Sequence, residues 1–422
     1  MPLSPNIQRG EIMTQEFINM LHLFGCGALG KSAEEKYCVN IRKIRERAIE
    51  QNVWPVVYSA IRKDIESKKV FIPDEVYLSL ERAIAANIAK EIQRTQFTEK
   101  IIQEIEKNGV KYCLLKGCSL ASLYAEPETR TSSDTDIIIS EVDEQKTAQI
   151  LMNNGYETKT RLKTEHHMEA RHPIGGVMEV HVSTMQKKDE QILFGDELSF
   201  SEEYIKSDNG LNVLGINDGL INVTTHFIKH FMRSGAGVRH MMDMLLYMKK
   251  YEKDINWESF NEKMKKLRYD TLIETVKSIG EKYWGIEFGQ KTSISEDLQN
   301  ELLTDIENGG VFGNDERHKA YSILKDRRNK GKEKNQRKEK LTKIFRTIFP
   351  DREYVKKHYS KEYRKYGIIY AYIKRLISFV LKVVKKDRAV SDIIDKKISA
   401  RKSEVAIQRI SLMENLGVVE KE

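Results

Sequence analysis

The feature of this chain that most constrains its fold is a change of hydrophobic period at Gly109. Upstream, Leu80, Ile84, Ile88, Ile92, Phe97, Ile101, Ile102 and Ile105 recur at close to helical spacing, after a Pro73-Asp74 start signal. The spacing predicts one long helix over 74–107, stopped by Gly109. Beyond it the pattern turns to short apolar runs. Val110 to Leu115 (VKYCLL) and Thr135 to Ser140 (TDIIIS) read as strands, and so does Val177 to Ser183 (VMEVHVS) after a Gly175-Gly176 turn. Helices are predicted between them, over 119–125 and over 144–154 before Gly155. Strands alternating with helices in this way imply an α/β or α+β unit covered by helices. From Asp218 the period returns to 3.6, predicting helices over 218–233, 238–252 and 256–285. Residues 325–340 hold almost no apolar side chain and read as a solvated linker or exposed helix, with two further helices after Pro350. No internal repeat of fixed period is visible.

At 422 residues the chain is long enough for about two or three domains. The pattern divides it into an N-terminal helical region over 1–108, a mixed unit over 109–210, a helical domain over 211–324, and a basic linker with C-terminal helices over 325–422. With 7 Pro and 24 Gly it is neither collagen-like nor a low-complexity chain. It has no run of about 18 uncharged apolar residues, and its first residues lack the pattern of a secretory signal. Cys26, Cys38, Cys113 and Cys118 show no CxxC spacing, so a reducing, cytoplasmic setting is expected. The net charge of +8 is unevenly spread: residues 325–388 carry 23 Lys or Arg against 7 Asp or Glu, which leaves the remainder acidic.

The strongest chemical signal lies in LLKGCSLASLYAEPETRTSSDTDIII. Asp134 and Asp136 sit two apart at the start of a strand and so project from one face. Adjacent carboxylates repel unless a cation lies between them, and a divalent metal with hard oxygen ligands is the natural one. In VMEVHVS the alternation sends Val177, Glu179 and His181 to one face, which makes Glu179 a third carboxylate on a second strand.

Taken together, LLKG, Tyr124, Pro127, Arg130, the DTD strand and MEVH resemble an uncharacterised bacterial branch of the nucleotidyltransferase-fold superfamily typified by DNA polymerase β. HFIKHFMRSGAGVRHMMDMLLYM, with His226, His230, Gly237, Arg239 and Asp243, is similar to the helical segment that follows the core in that branch. The resemblance covers about residues 75 to 250, and FPDREYVKKHY adds a weaker similarity. It implies an α+β nucleotidyltransferase-fold core, a small mixed sheet flanked by helices, within a mainly helical chain. It further implies a transferase that moves an NMP group from an NTP, ATP among them, to an acceptor hydroxyl with Mg²⁺ or Mn²⁺ as cofactor. By the same resemblance Asp134, Asp136 and Glu179 would hold metal, with Glu179 alternatively the base. Lys116, Gly117, Ser119 and Arg130 would meet the triphosphate, and His181, His230, Arg239 and Asp243 would stand behind the site. An antitoxin that transfers AMP to a partner protein, or an inactive nucleotide-binding module, shares the same expected fold.

Other signals are weighed against packing. His226 and His230 at i, i+4 match the spacing of a zinc-protease motif, but Phe227 stands where its glutamate would be, so packing against the carboxylate site is expected. His166, His167 and His172 match no ordinary zinc spacing. Arg239 and Asp243, also i, i+4, read as an intrahelical ion pair. GCGALGKS, Gly25 to Ser32, satisfies a P-loop string and leaves a P-loop NTPase as a distant alternative. The preceding EFINMLHLF has helical spacing, so Gly25 and Gly30 are expected to form a helix C-cap and turn. The apolar stretch 367–384, interrupted by Lys374, Arg375 and Lys382, is expected to pack on the acidic body, with an anionic partner or membrane surface as the alternative.

Overall fold

The structure is a computed structural model that describes residues 13–67, 74–115, 118–132, 134–161, 165–183, 193–194, 204–206, 210–233, 235–289, 293–311, 320–324 and 404–419, together with 313, 317, 367 and 372. Four helices open the chain: α1 (Gln15–Leu29), α2 (Ile41–Glu50), α3 (Trp54–Glu66) and α4 (Asp74–Lys107). The long helix expected from the spacing is α4. Its Ile84 belongs to a large helical core, whereas Ile101, Ile102 and Ile105 belong to a second core under a sheet. One helix thus joins the two packed bodies.

The sheet is mixed and has seven strands in the order β3-β4-β5-β2-β1-β7-β6. They are β1 (Tyr112–Leu114), β2 (Asp134–Ile139), β3 (Glu157–Thr158), β4 (His167–His172), β5 (Gly176–His181), β6 (Tyr204–Lys206) and β7 (Asn212–Leu214). β2 runs parallel to β5 and β1 parallel to β7, and the other pairings are antiparallel. Helix α5 (Cys118–Ala121) follows β1, and α6 (Glu144–Asn153) follows β2. The alternation of β2 decides what each face does. Ile137 and Ile139 point into the core beneath α4 and α6, with Met178 and Val180 of β5 and Met168 and Ala170 of β4. Among the described residues the opposite face carries a small apolar patch of Cys113, Leu115, Leu214 and Ile138. The acidic residues of the strands lie on that face.

The helical body continues with α7 (Ile216–Arg233), α8 (Val238–Lys250), α9 (Trp257–Lys266), α10 (Asp270–Ile279), α11 (Glu296–Gly309) and, near the C-terminus, α12 (Glu404–Asn415). This is an α+β chain dominated by helices. Asn222 of α7 reaches the sheet, donating through Nδ2 to the Leu115 carbonyl at 2.7 Å.

Several sequence expectations are corrected. Residues 256–285 form two helices rather than one, because Arg268 takes a left-handed φ of 63° and turns Tyr269 fully into the core. A π-helical turn over Gly280–Trp284 then ends the second. The helix expected over 119–125 stops at Ala121, and strands β3, β4, β6 and β7 had no clear apolar signal. The P-loop reading fails at its first residue. Gly25 to Leu29 are the last turns of α1, and Gly30, at φ 67°, is the left-handed C-cap, so no strand-to-helix junction exists there. Gly25 is not a cap but lies inside the helix, where a Cβ would strike the Trp284 ring. The polar linker 325–340 and nearly all of the stretch 367–384 lie outside the described residues. Among the described residues no helix is long and apolar enough to cross a membrane, and Cys26, Cys38 and Cys113 are free thiols.

Candidate active site

The parallel pairing of β2 with β5 sets Asp134 beside Val177, Asp136 beside Glu179 and Ile138 beside His181. Residues two apart on each strand share a face, so Asp134, Asp136, Glu179 and His181 converge on one side of the sheet. Asp136 is fully buried, His181 nearly so, and Glu179 is partly open to solvent. His181 Nε2 lies 2.9 Å from Asp136 Oδ1 and 3.4 Å from Glu179 Oε2. A proton or a cation at that point is shared by all three side chains.

Those separations can be tested against a metal ion. Two donors each about 2.1 Å from one ion stand roughly 3.0 Å apart at a right angle and 3.4 Å apart at the tetrahedral angle. The two contacts of His181 fall at this spacing, and one ligand atom each from Asp136, Glu179 and His181 lies within 4.8 Å of the others. Asp134 is not in that group, although it leads the same strand face. Its backbone is fixed from behind: the carbonyl accepts from Arg94 Nη1 at 3.3 Å and from Ser132 Oγ at 2.9 Å. Arg94 also donates to Thr135 Oγ1 at 3.0 Å and pairs with Glu91 at 2.7 Å, which ties α4 to the start of β2.

β4 adds residues the sequence reading did not assign to the site. Its antiparallel register sets His167 opposite His181 and Glu169 opposite Glu179. His167 Nε2 lies 3.7 Å from Glu179 Oε1, and His166, His167 and His181 form a second group of possible ligands. Burial pushes the His167 imidazole below its ordinary value, and Glu179 pulls it back. The signal was present in HMEARH, where His167, Glu169 and Arg171 alternate with Met168 and Ala170. Its polar face is too dense for an apolar-run search to find.

The loop that delivers β2 is anchored to α8. Arg130 donates through Nε to Asp243 Oδ1 at 2.8 Å and through Nη2 to Asp243 Oδ2 at 2.7 Å, and Tyr124 OH donates to the same Oδ1 at 2.8 Å. Arg239 donates to the Thr131 carbonyl. Burial lowers the Arg239 pKa and Arg130 adds to the effect, while Asp243 opposes it. The i, i+4 spacing paired Asp243 with Arg239, whereas the structure gives the Asp243 carboxylate a bidentate partner from a distant loop. Arg130, expected at the triphosphate, is 6% exposed with its charge met by Asp243.

Of the other expected residues, Ser119 sits on α5 and lines a small cleft with Leu115, Leu214, Tyr247 and Lys250. Lys116 and Gly117 lie outside the described residues. His230 faces His226 and His240 between α7 and α8.

A family model described as "Uncharacterised nucleotidyltransferase" matches residues 38–277, more than half of the chain. No curated protein and no solved structure matches it.

Proposed function

The chain belongs to this family of uncharacterised nucleotidyltransferases, and on that premise we propose that it transfers an NMP group from an NTP to an acceptor hydroxyl at the Asp134/Asp136/Glu179 face. The observation that carries this reading is the β2–β5 register, which brings Asp136, Glu179 and His181 within shared-ligand distance on the polar face of the sheet. Asp136, Glu179 and His181 would hold a divalent ion, with Asp134 beside them. When bound, such an ion stabilises charge on the attacking and leaving oxygens. An imidazole in the donor set favours Mn²⁺ more than an all-oxygen shell would.

The protein's own residues do the rest. Glu179, the more exposed carboxylate of the pair, accepts the acceptor hydroxyl proton. The freed oxygen forms a bond to the α-phosphorus, the bond from that phosphorus to the bridging β-phosphate oxygen breaks, and pyrophosphate leaves with the electron pair. Lys116, Gly117 and Ser119 contact the triphosphate, and Arg130 fixes the loop before Asp134 rather than meeting phosphate. The sealed position of Asp136 suits a ligand more than a proton shuttle.

The test is calorimetric titration of each NTP, with and without Mg²⁺ or Mn²⁺, on the native chain and on Asp134→Ala/Asp136→Ala. The reading requires cation-dependent binding that the double substitution abolishes. A single Asp136→Asn change is expected to cut pyrophosphate release by at least ~100-fold. Binding that ignores the cation, or survives the double substitution, overturns it. Nucleotide binding with no turnover across small alcohols, protein hydroxyls and nucleic-acid ends instead identifies an inactive module.

A further inference from the structure

A second cluster of donors, sharing no residue with the Asp136, Glu179 and His181 group, lies at the corner where α7 turns into α8. His226 and His230 are one helical turn apart on α7, and their Nε2 atoms are 3.1 Å from each other. His240, in the first turn of α8, stacks on His230 with ring centroids 4.8 Å apart and lies 5.3 Å from His226. One nitrogen from each of the three comes within 4.8 Å of the others. Two imidazole nitrogens at this distance cannot both present lone pairs to one another. Either a proton lies between them or a cation does.

We propose that His226, His230 and His240 form a binding site for a transition-metal ion of the Zn²⁺, Co²⁺ or Cu²⁺ class, with no ligand in common with the carboxylate centre. The 3.1 Å separation falls in the range that two nitrogens bound to one ion at about 2.1 Å require. Three neutral imidazoles without a carboxylate in the group select borderline ions and disfavour Mg²⁺ and Ca²⁺, which need oxygen. Access is suitable too, because His226 and His230 are only partly buried while His240 is enclosed. Three protein ligands leave a fourth tetrahedral position for water or an exogenous donor.

A hydrogen bond competes with metal binding at His240. Gly237 N–H donates to His240 Nδ1 at 3.2 Å and caps α8. An ion ligated by His240 shifts the proton balance of that ring and gives up this neutral bond, a small loss beside three metal–nitrogen bonds. The consequence reaches further, since the ion would staple α7 to α8, and α8 presents Asp243 to Arg130 just ahead of β2. The site does not depend on the nucleotidyltransfer reading.

The test uses Co²⁺ alone as the probe, on the full-length chain carrying His167→Gln/His181→Gln to remove imidazoles from the carboxylate corner. Expected is uptake of about one equivalent with visible absorption bands of a nitrogen-ligated, four- or five-coordinate ion. Adding His226→Ala/His230→Ala, with circular dichroism confirming the fold, should abolish the bands and weaken uptake by at least ~100-fold. No uptake by the first variant, or uptake that the added substitutions leave unchanged, overturns the proposal. Should the quadruple variant not fold, pulsed electron paramagnetic resonance of Cu²⁺ on the first variant decides. Three coupled imidazoles support the site, and two or fewer overturn it.

Discussion

Asp243 receives two guanidinium nitrogens and a phenol on one carboxylate, all of them buried. Such a pair is weak evidence of net stabilisation, yet removing one member leaves a charge with no solvent to receive it. Arg130→Ala is therefore expected to cost about 3–5 kcal/mol in urea unfolding. Tyr124→Phe, which removes only one donor to the same oxygen, should cost about 1 kcal/mol. Nothing in the spacing of Arg130 and Asp243 announces this pair, because 113 residues separate them. Glu169 shows a contrasting, partly exposed regime. Hydrogen bonds from Arg171, and then Lys159, bring its carboxyl down to about 2 from an ordinary 4.5. A lowered carboxyl contributes stability that is complete above its unfolded value and lost as pH falls toward its folded one. Glu169→Gln should thus destabilise the chain by about 0.5–1 kcal/mol at pH 7, with the difference shrinking as pH falls from about 4.5 through about 2, as read from unfolding across that range. The like charges of Glu169 and Glu179 stand opposite each other across β4 and β5, and Arg171 and Lys159 are what make that register tolerable.

Among the elements, α1 and α3 cross more closely than side chains permit. At Gly27 a Cβ would fall inside van der Waals contact of the Val56 carbonyl and against Ser59 Oγ. Gly27→Ala should cost about 1–3 kcal/mol by thermal or chemical denaturation, although alanine is the better helix former. This glycine belongs to the string that imitates a P-loop, and its structural use is close helix packing. The same string illustrates how local patterns mislead: eight residues matched a phosphate loop, while the helical spacing before them placed the segment correctly on a helix end. Strands β3, β4, β6 and β7 escaped the sequence reading because strands this short or this polar carry no apolar alternation long enough to register. Arg268 likewise gives no sign that the backbone will reverse into the left-handed region and divide α9 from α10.

At the scale of the whole molecule, Asp305 of α11 fastens the C-terminal helix to the body. It accepts from Arg409 Nη1 at 2.8 Å and from Arg317 Nη1 at 3.0 Å, and both arginines are buried to within 1% exposure. Arg409 also donates to the Phe231 carbonyl at the end of α7, so α12 touches the helix that bears His226 and His230. Asp305→Ala removes a carboxylate that two buried guanidinium groups share, and a loss of about 3–5 kcal/mol in urea unfolding is expected. The sequence alone determined the helix-sheet-helix order and the acidic strands β2 and β5, with their carboxylates on one face, because period and alternation are local consequences of backbone geometry. It could not determine that His181 bridges Asp136 and Glu179, that His167 arrives on β4, or that His240 joins His226 and His230. Those facts depend on strand register and on the packing of α7 against α8. Both are settled by burying apolar faces tens of residues apart, and no spacing along the chain encodes them.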